Sequence, residues 1–420
     1  MNATKVEKCQ QSECRVLVIC NDGDYFLRHR LSVVSYLSSI GARVKVLVGG
    51  NPIPKDRIQG WEYAHLRIER FKFDPISDIA LMVHTARAIW SLRPDAIHLI
   101  TLKPTIFSGL SAIICNVFSG YPNRILVTLP GLGRMMTRSK RVGERRYPVA
   151  TALTLTAFWT LSRFDCVHFT FETQHDHDFW AERGIASDQN SSVIDGAGVD
   201  PKVFYPSELP QAEKTKVIFA SRTLKSKGLN AFLQMARQLK ARSKVEFLVA
   251  GFADEEDPDA IRPDYLRKLS EIRFLGNVKD MPELLRQCDI VCLPTRYGEG
   301  IPRILIEAAA TGLASIASDH PGCREVVQDG LTGHIVPAAS DTEMSRDLVA
   351  AVVRYLDSPE HLAAHKENAY HYFLSRDFNQ AAIDVRFAKL LGANSGPSQA
   401  VDRVGRSIPG CRSSRVSSSD

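Results

Sequence analysis

From Cys14 onward the chain alternates short, β-branched apolar runs with stretches of helical period. "RVLVIC", "RVKVLVGG", "AIHLI" and "RILVTL" are apolar almost throughout, and "LSVVSYLSSIGA" and "TIFSGLSAIICNVFSG" stand among them. Continuous apolar strands separated by helices predict a parallel sheet covered on both faces and joined by right-handed crossovers. "CVHFTF" and "SSVIDGAGVD" close this first unit, and the Pro-rich, aperiodic "PKVFYPSELPQAEK" reads as a linker. The alternation then restarts with "KVIFAS", "LNAFLQMARQLKA", "VEFLVAG", "EIRFLG", "DIVCLPT", "ASIAS" and "GHIVP". An α/β chain of two doubly wound domains follows, one over 14–205 and one over 206–375. A last helix at 376–392 and a Ser-, Gly- and Pro-rich tail over 393–420, expected to be disordered, complete it. Ligands on such sheets bind beyond the carboxyl ends of the strands, so the cleft between the halves is the expected active site.

Composition agrees with two globular domains. A chain of 420 residues exceeds what one core usually supports, and 44% hydrophobic with 24% charged residues excludes fibrous, disordered and disulfide-framed classes. The formal net charge is only +6, yet basic residues crowd into "RMMTRSKRVGERRYP", Arg134 to Pro148. Such a run favours an anionic partner. No aromatic interleaving or nucleic-acid motif accompanies it, so nucleic acid is not the expected partner. The apolar "VATALTLTAFWTL" that follows is shorter than a bilayer span and dotted with Thr, which suits a buried or interfacial helix. The basic run over 134–146 is therefore read as docking on anionic inner-leaflet lipid, against the plainer alternative of a solvated loop. Nine cysteines without metal-ligand spacing point to a reducing compartment, and "MNATKVEKCQQSEC" lacks the apolar segment of a signal peptide. The expected location is the cytoplasm.

The candidate chemistry gathers in the second half. In "YGEGIPRILIEAAATG", residues 297–312, Pro302 suits a first helical position and Gly312 the position after the last turn. The N–H groups at that helix start, reached through Gly300 and Ile301, suit a phosphate. Glu299 then lies beside the anion and Glu307 about two turns deeper. Eight helical residues span about 12 Å, whereas paired glycosidase carboxyls of the retaining kind stand about 5 to 5.5 Å apart. A polar ligand longer than one sugar fits better. The plainer reading pairs Glu307 with Arg303 and leaves Glu299 solvated. In "FASRTLKSKGLNAF", Arg222 and Lys227 follow a strand and lead through Gly228 into a helix. Two such cations can neutralise a diphosphate, or they form a basic surface loop. Gly251 ends a strand and Val278 stands in a loop before a helix, where backbone can meet a base edge. "DGD" at 22–24 and "HDHD" at 175–178 read as a turn and a helix start, and neither is taken as a metal site.

Together "SRTLKSKG", "GNVKDMPELLRQCDIVCLPT", "EGIPRILIEAAATG" and "PGCREVVQDGLTGHIVP" resemble the nucleotide-sugar-binding half of glycosyltransferase family 4. The resemblance runs over roughly 14–390 and is strongest to bacterial capsular, exopolysaccharide and lipopolysaccharide sugar transferases. It implies a GT-B fold, two Rossmann-like domains facing a central cleft, with the final helix crossing back to the first domain. By the same resemblance Glu299 holds hydroxyls of the transferred sugar and Gly300, Ile301 and Pro302 the sugar and phosphate. Glu307 then holds the ribose diol, Arg222 and Lys227 the diphosphate, and Gly251 and Val278 the base. The first half matches less tightly. Its glycine loop "LVTLPGLGRMMT", with Gly131 and Gly133, carries Pro130 where many relatives carry His. His29, Arg30 and Lys103 sit at strand ends from which they reach an acceptor.

The implied activity is retaining transfer from a UDP- or GDP-linked nucleotide-sugar to a polyprenyl-diphosphate-linked saccharide in surface polysaccharide biosynthesis. It needs no cofactor and no metal, and it proceeds at the cytoplasmic face of the inner membrane. The alternatives are a nucleotide-sugar epimerase of the same architecture, separated by its indifference to an acceptor, and a non-catalytic nucleotide-sugar-binding subunit.

Overall fold

The computed structural model describes residues 14–68, 74–119, 123–131, 148–207, 213–253 and 257–393. Gly133, the basic run 134–146 and the tail 394–420 lie outside these residues.

Seven strands form the first sheet: β1 (Arg15–Cys20), β2 (Arg43–Val48), β3 (Glu62–His65), β4 (Ala96–Ile100), β5 (Arg124–Leu129), β6 (Val167–Phe171) and β7 (Ser191–Val193). Their order is β3-β2-β1-β4-β5-β6-β7, parallel throughout. Six more form the second: β8 (Thr215–Ala220), β9 (Val245–Ala250), β10 (Arg273–Gly276), β11 (Ile290–Leu293), β12 (Ala314–Ser318) and β13 (Gly333–Val336). They are ordered β10-β9-β8-β11-β12-β13, again parallel. Central strands such as β1, β4 and β11 are buried along almost their whole length, as a sheet sandwiched between helices requires. Helix Leu229–Leu239 shows the matching pattern, burying Leu229, Phe232, Leu233, Ala236 and Leu239 on one face. In each sheet the strand order reverses beside the first strand, between β1 and β4 and between β8 and β11. A crevice opens there because consecutive crossovers leave in opposite directions.

Helix Gln380–Leu390 packs on helix Leu31–Ser39 of the first domain. Its Ile383, Phe387 and Ala388, with Leu391 just beyond, enter one apolar cluster with Val16, Val18, Phe26, Val34 and Leu126. Ile383, Phe387 and Leu391 each contribute about 1.5–3 kcal/mol on burial. Ser32 Oγ donates to Asp384 at 2.9 Å, and the Phe387 ring stacks on buried His98 at 5.4 Å. Two strands of backbone connect the domains side by side, with Val199 N–H donating to Phe378 O at 2.9 Å and Gln380 N–H to Val199 O at 3.1 Å. This pairing draws Val199 and Phe204 into the second core, so the first domain gives way before residue 205.

Candidate active site

The carboxyl ends of both sheets face one cleft of about 2810 Å³. From the second domain Arg222, Lys227, Gly251, Val278, Glu299, Gly300, Ile301, Pro302 and Glu307 all line it, and from the first His29, Lys103, Pro130 and Gly131.

Lys227 is 6% exposed, set by a 3₁₀ turn that ends at Gly228 with φ +80°. Its ammonium donates to Glu299 Oε2 and lies 4.9 Å from the Tyr297 ring centroid. Arg222 stands over the same ring at 5.4 Å and reaches Asp257 at 3.8 Å. The two cations thus flank one aromatic ring, with their charge balanced by carboxylates. Glu299 Oε1 is buried and has no hydrogen-bond partner among the described residues. An unsatisfied buried carboxylate oxygen is costly in the absence of a donor such as a hydroxyl.

The helix start differs from the sequence expectation. The helix runs Arg303–Ala310, and Pro302 precedes it as the N-cap with φ −64° and ψ 114°, since its extended ψ keeps it out of the first turn. Nor are the approaching amides open. Gly300 N–H donates to Pro130 O at 3.2 Å, and Ile301 N–H donates to Glu172 Oε2, also at 3.2 Å. An anion therefore does sit at this helix start, and it is a carboxylate from the first domain. Glu307 accepts from Arg303 Nε at 2.8 Å, as the plainer reading expected, while both residues remain on the cleft wall. Burial pushes the Glu307 carboxyl above the usual carboxylate range and the Arg303 guanidinium opposes it.

Arg30 does not face the cleft. It is 1% exposed, donates to Glu172 Oε1 at 3.1 Å and lies 5.1 Å from the Phe387 ring. A buried guanidinium needs a fixed anion, and Glu172 supplies it, so Arg30 is removed from the acceptor-side candidates. His29 does line the cleft, stacked on Tyr25 at 4.5 Å. Burial, with Arg303, Arg30, Arg28 and Lys227 around it, holds its pKa well below the usual histidine value, so it is neutral at pH 7. Lys103 lies on the cleft wall with its ammonium 2.8 Å from Asp78. Of the other motif carboxylates, Asp22 caps the helix that starts at Gly23, accepting from Tyr25 N–H at 2.6 Å, and Thr173 caps the one that starts at Gln174.

Three residues escaped the sequence reading. Glu172 bridges Arg30 and Ile301; its signal was a lone carboxylate at the carboxyl end of the apolar run "VHFTF". Tyr297 carries the ring beside which both cations sit. His320, before Pro321, is close enough to Glu299 and Lys227 for their charges to act on it, and burial lowers its pKa.

Gly131 has φ +111°, and a Cβ there would overlap the Gly300 amide and fall 2.8 Å from Glu299 Cα. Gly131→Ala is therefore expected to cost about 1–3 kcal/mol of stability from the strained backbone and to displace the Glu299 loop. Denaturant unfolding together with steady-state kinetics checks it; an unaltered midpoint and rate would mean that the two loops do not touch in solution.

Residues 214–358 match the family described as glycosyl transferases group 1. Over 389 residues the chain is 29% identical to the N,N'-diacetylbacillosaminyl-diphospho-undecaprenol alpha-1,3-N-acetylgalactosaminyltransferase of Campylobacter jejuni, covering 90% of this chain and 98% of that one. Sucrose-phosphate synthase of Thermosynechococcus elongatus shares the fold with a TM-score of 0.70 at 16% identity, covering 90% of this chain and 98% of its own. Anabaena HepE, solved with UDP and glucose, does so at 0.69 and 16%, covering 91% and 100%. The two facing Rossmann-like domains are thus a GT-B fold, the second carries a glycosyltransferase group 1 domain, and the chain is a glycosyltransferase.

Proposed function

We propose that this transferase moves a sugar, with retention, from a UDP- or GDP-sugar to a polyprenyl-diphosphate-linked saccharide. The observation that carries the reading is the convergence of Arg222, Lys227, Glu299 and Glu307 on one cleft at the strand-order reversal of the second sheet. Arg222 and Lys227 neutralise the diphosphate. Glu299 Oε1 accepts from a sugar hydroxyl, Gly300 to Pro302 border sugar and phosphate, and Glu307 takes the ribose diol. Gly251 and Val278 border the base. The leaving diphosphate takes the acceptor's proton on the face from which it departs, so the protein stabilises charge and supplies no base. The two cations do the electrostatic work for which a metal would otherwise serve. On the acceptor side, neutral His29 offers a hydrogen-bonding edge, and Pro130 has none.

A lipid-linked acceptor suits the first domain. The Campylobacter relative is named for a diphospho-undecaprenol substrate. Here Leu102, Ile106, Phe107, Leu110 and Leu153 line the cleft on the acceptor side. Beyond them, Ile76, Ile79, Val83 and Trp90 are exposed on helix Pro75–Leu92, as are Ile114, Val117 and Phe118 on helix Gly109–Ser119. The spacings place each set on one helix face, and the two helices pack together. Adjoining the basic run 134–146 in sequence, helix Pro148–Leu161 adds exposed Leu153 and Trp159. Exposed apolar faces on the first domain, together with a basic run in its sequence, favour peripheral docking on the anionic cytoplasmic leaflet. No helix among the described residues is long and apolar enough to cross a membrane.

The test is thermal stabilisation by nucleoside diphosphates and their sugars, since a ligand of the folded state raises Tm. One nucleotide and its sugar are expected to shift Tm selectively. Arg222→Ala is expected to weaken that diphosphate about 10- to 100-fold, the loss of a hydrogen bond to a charged group being worth about 1.5–3 kcal/mol. Unchanged affinity would place the phosphates elsewhere.

A further inference from the structure

Away from the cleft, β13 and helix Pro359–Ser375 bring three histidines together. His334 lies on β13, and His361 and His365 are four residues apart on the helix, so their side chains share a face. Candidate ligand nitrogens of the three lie within 4.8 Å of one another. Ring centroids are 5.5 Å apart for His334 and His361, 5.2 Å for His334 and His365, and 4.2 Å for the helical pair. His334 and His365 are buried and His361 is half-buried.

One nitrogen of the trio is left unsatisfied. His334 Nε2 is buried without a hydrogen-bond partner among the described residues. The Nε2 atoms of His361 and His365 lie 2.8 Å apart, one donating to the other, and His365 Nε2 also lies 3.2 Å from Gly330 O. His365 Nδ1 is hydrogen-bonded to the Tyr355 hydroxyl at 2.8 Å, and His334 Nδ1 lies 3.9 Å from an Asp329 carboxylate oxygen, beyond hydrogen-bond reach. An unpartnered buried nitrogen on His334 close to two further imidazoles, with a hydroxyl behind one of them, is an arrangement that suits imidazole ligation of a metal.

We propose that His334, His361 and His365 form a binding site for a divalent transition ion of the zinc class, through the Nε2 atoms. Imidazole-only ligand sets suit zinc, copper, nickel or cobalt, whereas magnesium and calcium require oxygen. Zinc–nitrogen bonds of about 2.0–2.1 Å place tetrahedral ligands about 3.3 Å apart. Side-chain rotations that open the helical pair by about 0.5 Å and draw the widest pair in by up to about 1.5 Å therefore admit the ion. Arg354 adds positive charge nearby and Asp329 offsets it. Three protein ligands leave a fourth position for water. The ion would pin edge strand β13 to helix Pro359–Ser375, which packs on helix Arg303–Ala310 behind Glu307. Its role is to brace the second domain, distinct from the transfer chemistry.

The test uses untagged full-length protein stripped with a chelator, then titrated with Co²⁺ by visible absorption and with Zn²⁺ by calorimetry. The expected result is one equivalent bound with the intense absorption of tetrahedral cobalt, and a Tm raised by zinc. His361→Ala, at the half-buried position, is expected to weaken binding about 100-fold, the upper end of losses seen for mere outer-shell partners. His371→Ala, exposed on the same helix, should leave it unchanged. Should His361→Ala fail to fold, His361→Gln and the wild-type titration decide alone. Absence of stoichiometric binding by folded wild type would overturn the proposal, as would binding undiminished in the His361 variants.

Discussion

Glu299→Gln is expected to reduce sugar transfer about 10²- to 10³-fold, the cost of removing one preorganised electrostatic contact to the reacting group, while nucleoside diphosphate affinity stays nearly unchanged. The substitution keeps the side chain's shape. It removes the charge that Lys227 now balances and converts one oxygen into an amide that cannot accept from a hydroxyl. If Glu299 Oε1, buried and without a partner, is where a sugar hydroxyl donates, transfer falls and the naked diphosphate does not notice. Release of Lys227 from its ion pair would if anything favour the diphosphate. The pair of measurements is kcat/KM for transfer and calorimetric affinity for the diphosphate alone. Equal loss of both would show that Glu299 organises the phosphate site, and an unimpaired rate would remove it from the reaction.

Glu172→Ala is expected to lower the unfolding free energy by about 3–5 kcal/mol, the range for stripping one partner from a buried ion pair. Arg30 would remain 1% exposed without its anion, and Ile301 N–H would lose its acceptor across the cleft. Glu172→Gln keeps an acceptor for Ile301 while losing the charge, and should fall between the two. Urea unfolding with unchanged m-value reads the effect. A loss below about 1 kcal/mol, the level of an exposed pair, would show that water reaches Arg30 or that the pair contributes little.

The parts of this molecule that were legible in its sequence are the local ones. Strand and helix alternation carried both sheets, because a strand covered on two faces must be apolar along its length and is recognisable without its neighbours. Arg222, Lys227, Glu299 and Glu307 were found because each lies within a few residues of a strand end or helix start, and the structure brings all four to one cleft. Arg30 was misread for the opposite reason. Its partner Glu172 is 142 positions away, and no local pattern records such a pairing. The 25-residue separation of Lys103 and Asp78 hid their contact likewise. Pro302 slipped by one position because a proline's φ is the same as N-cap or as first helical residue, and only ψ separates them. The three histidines are spread over two elements 27 to 31 residues apart, and only the packing of β13 on its helix joins them.

The returning helix Gln380–Leu390 has a consequence for the chain as it is made. Ile383, Phe387, Ala388, Leu391 and Ala393 complete a core whose other buried members lie between Val16 and Ile194. A ribosome therefore displays that core with one wall missing while nearly two hundred further residues are added, roughly 10 to 40 s at about 5–20 residues per second. Throughout that interval the surface awaiting the helix, Val34 and Phe26 among it, is open to whatever binds nascent chains. The first domain reaches its final form only after the second has been synthesised.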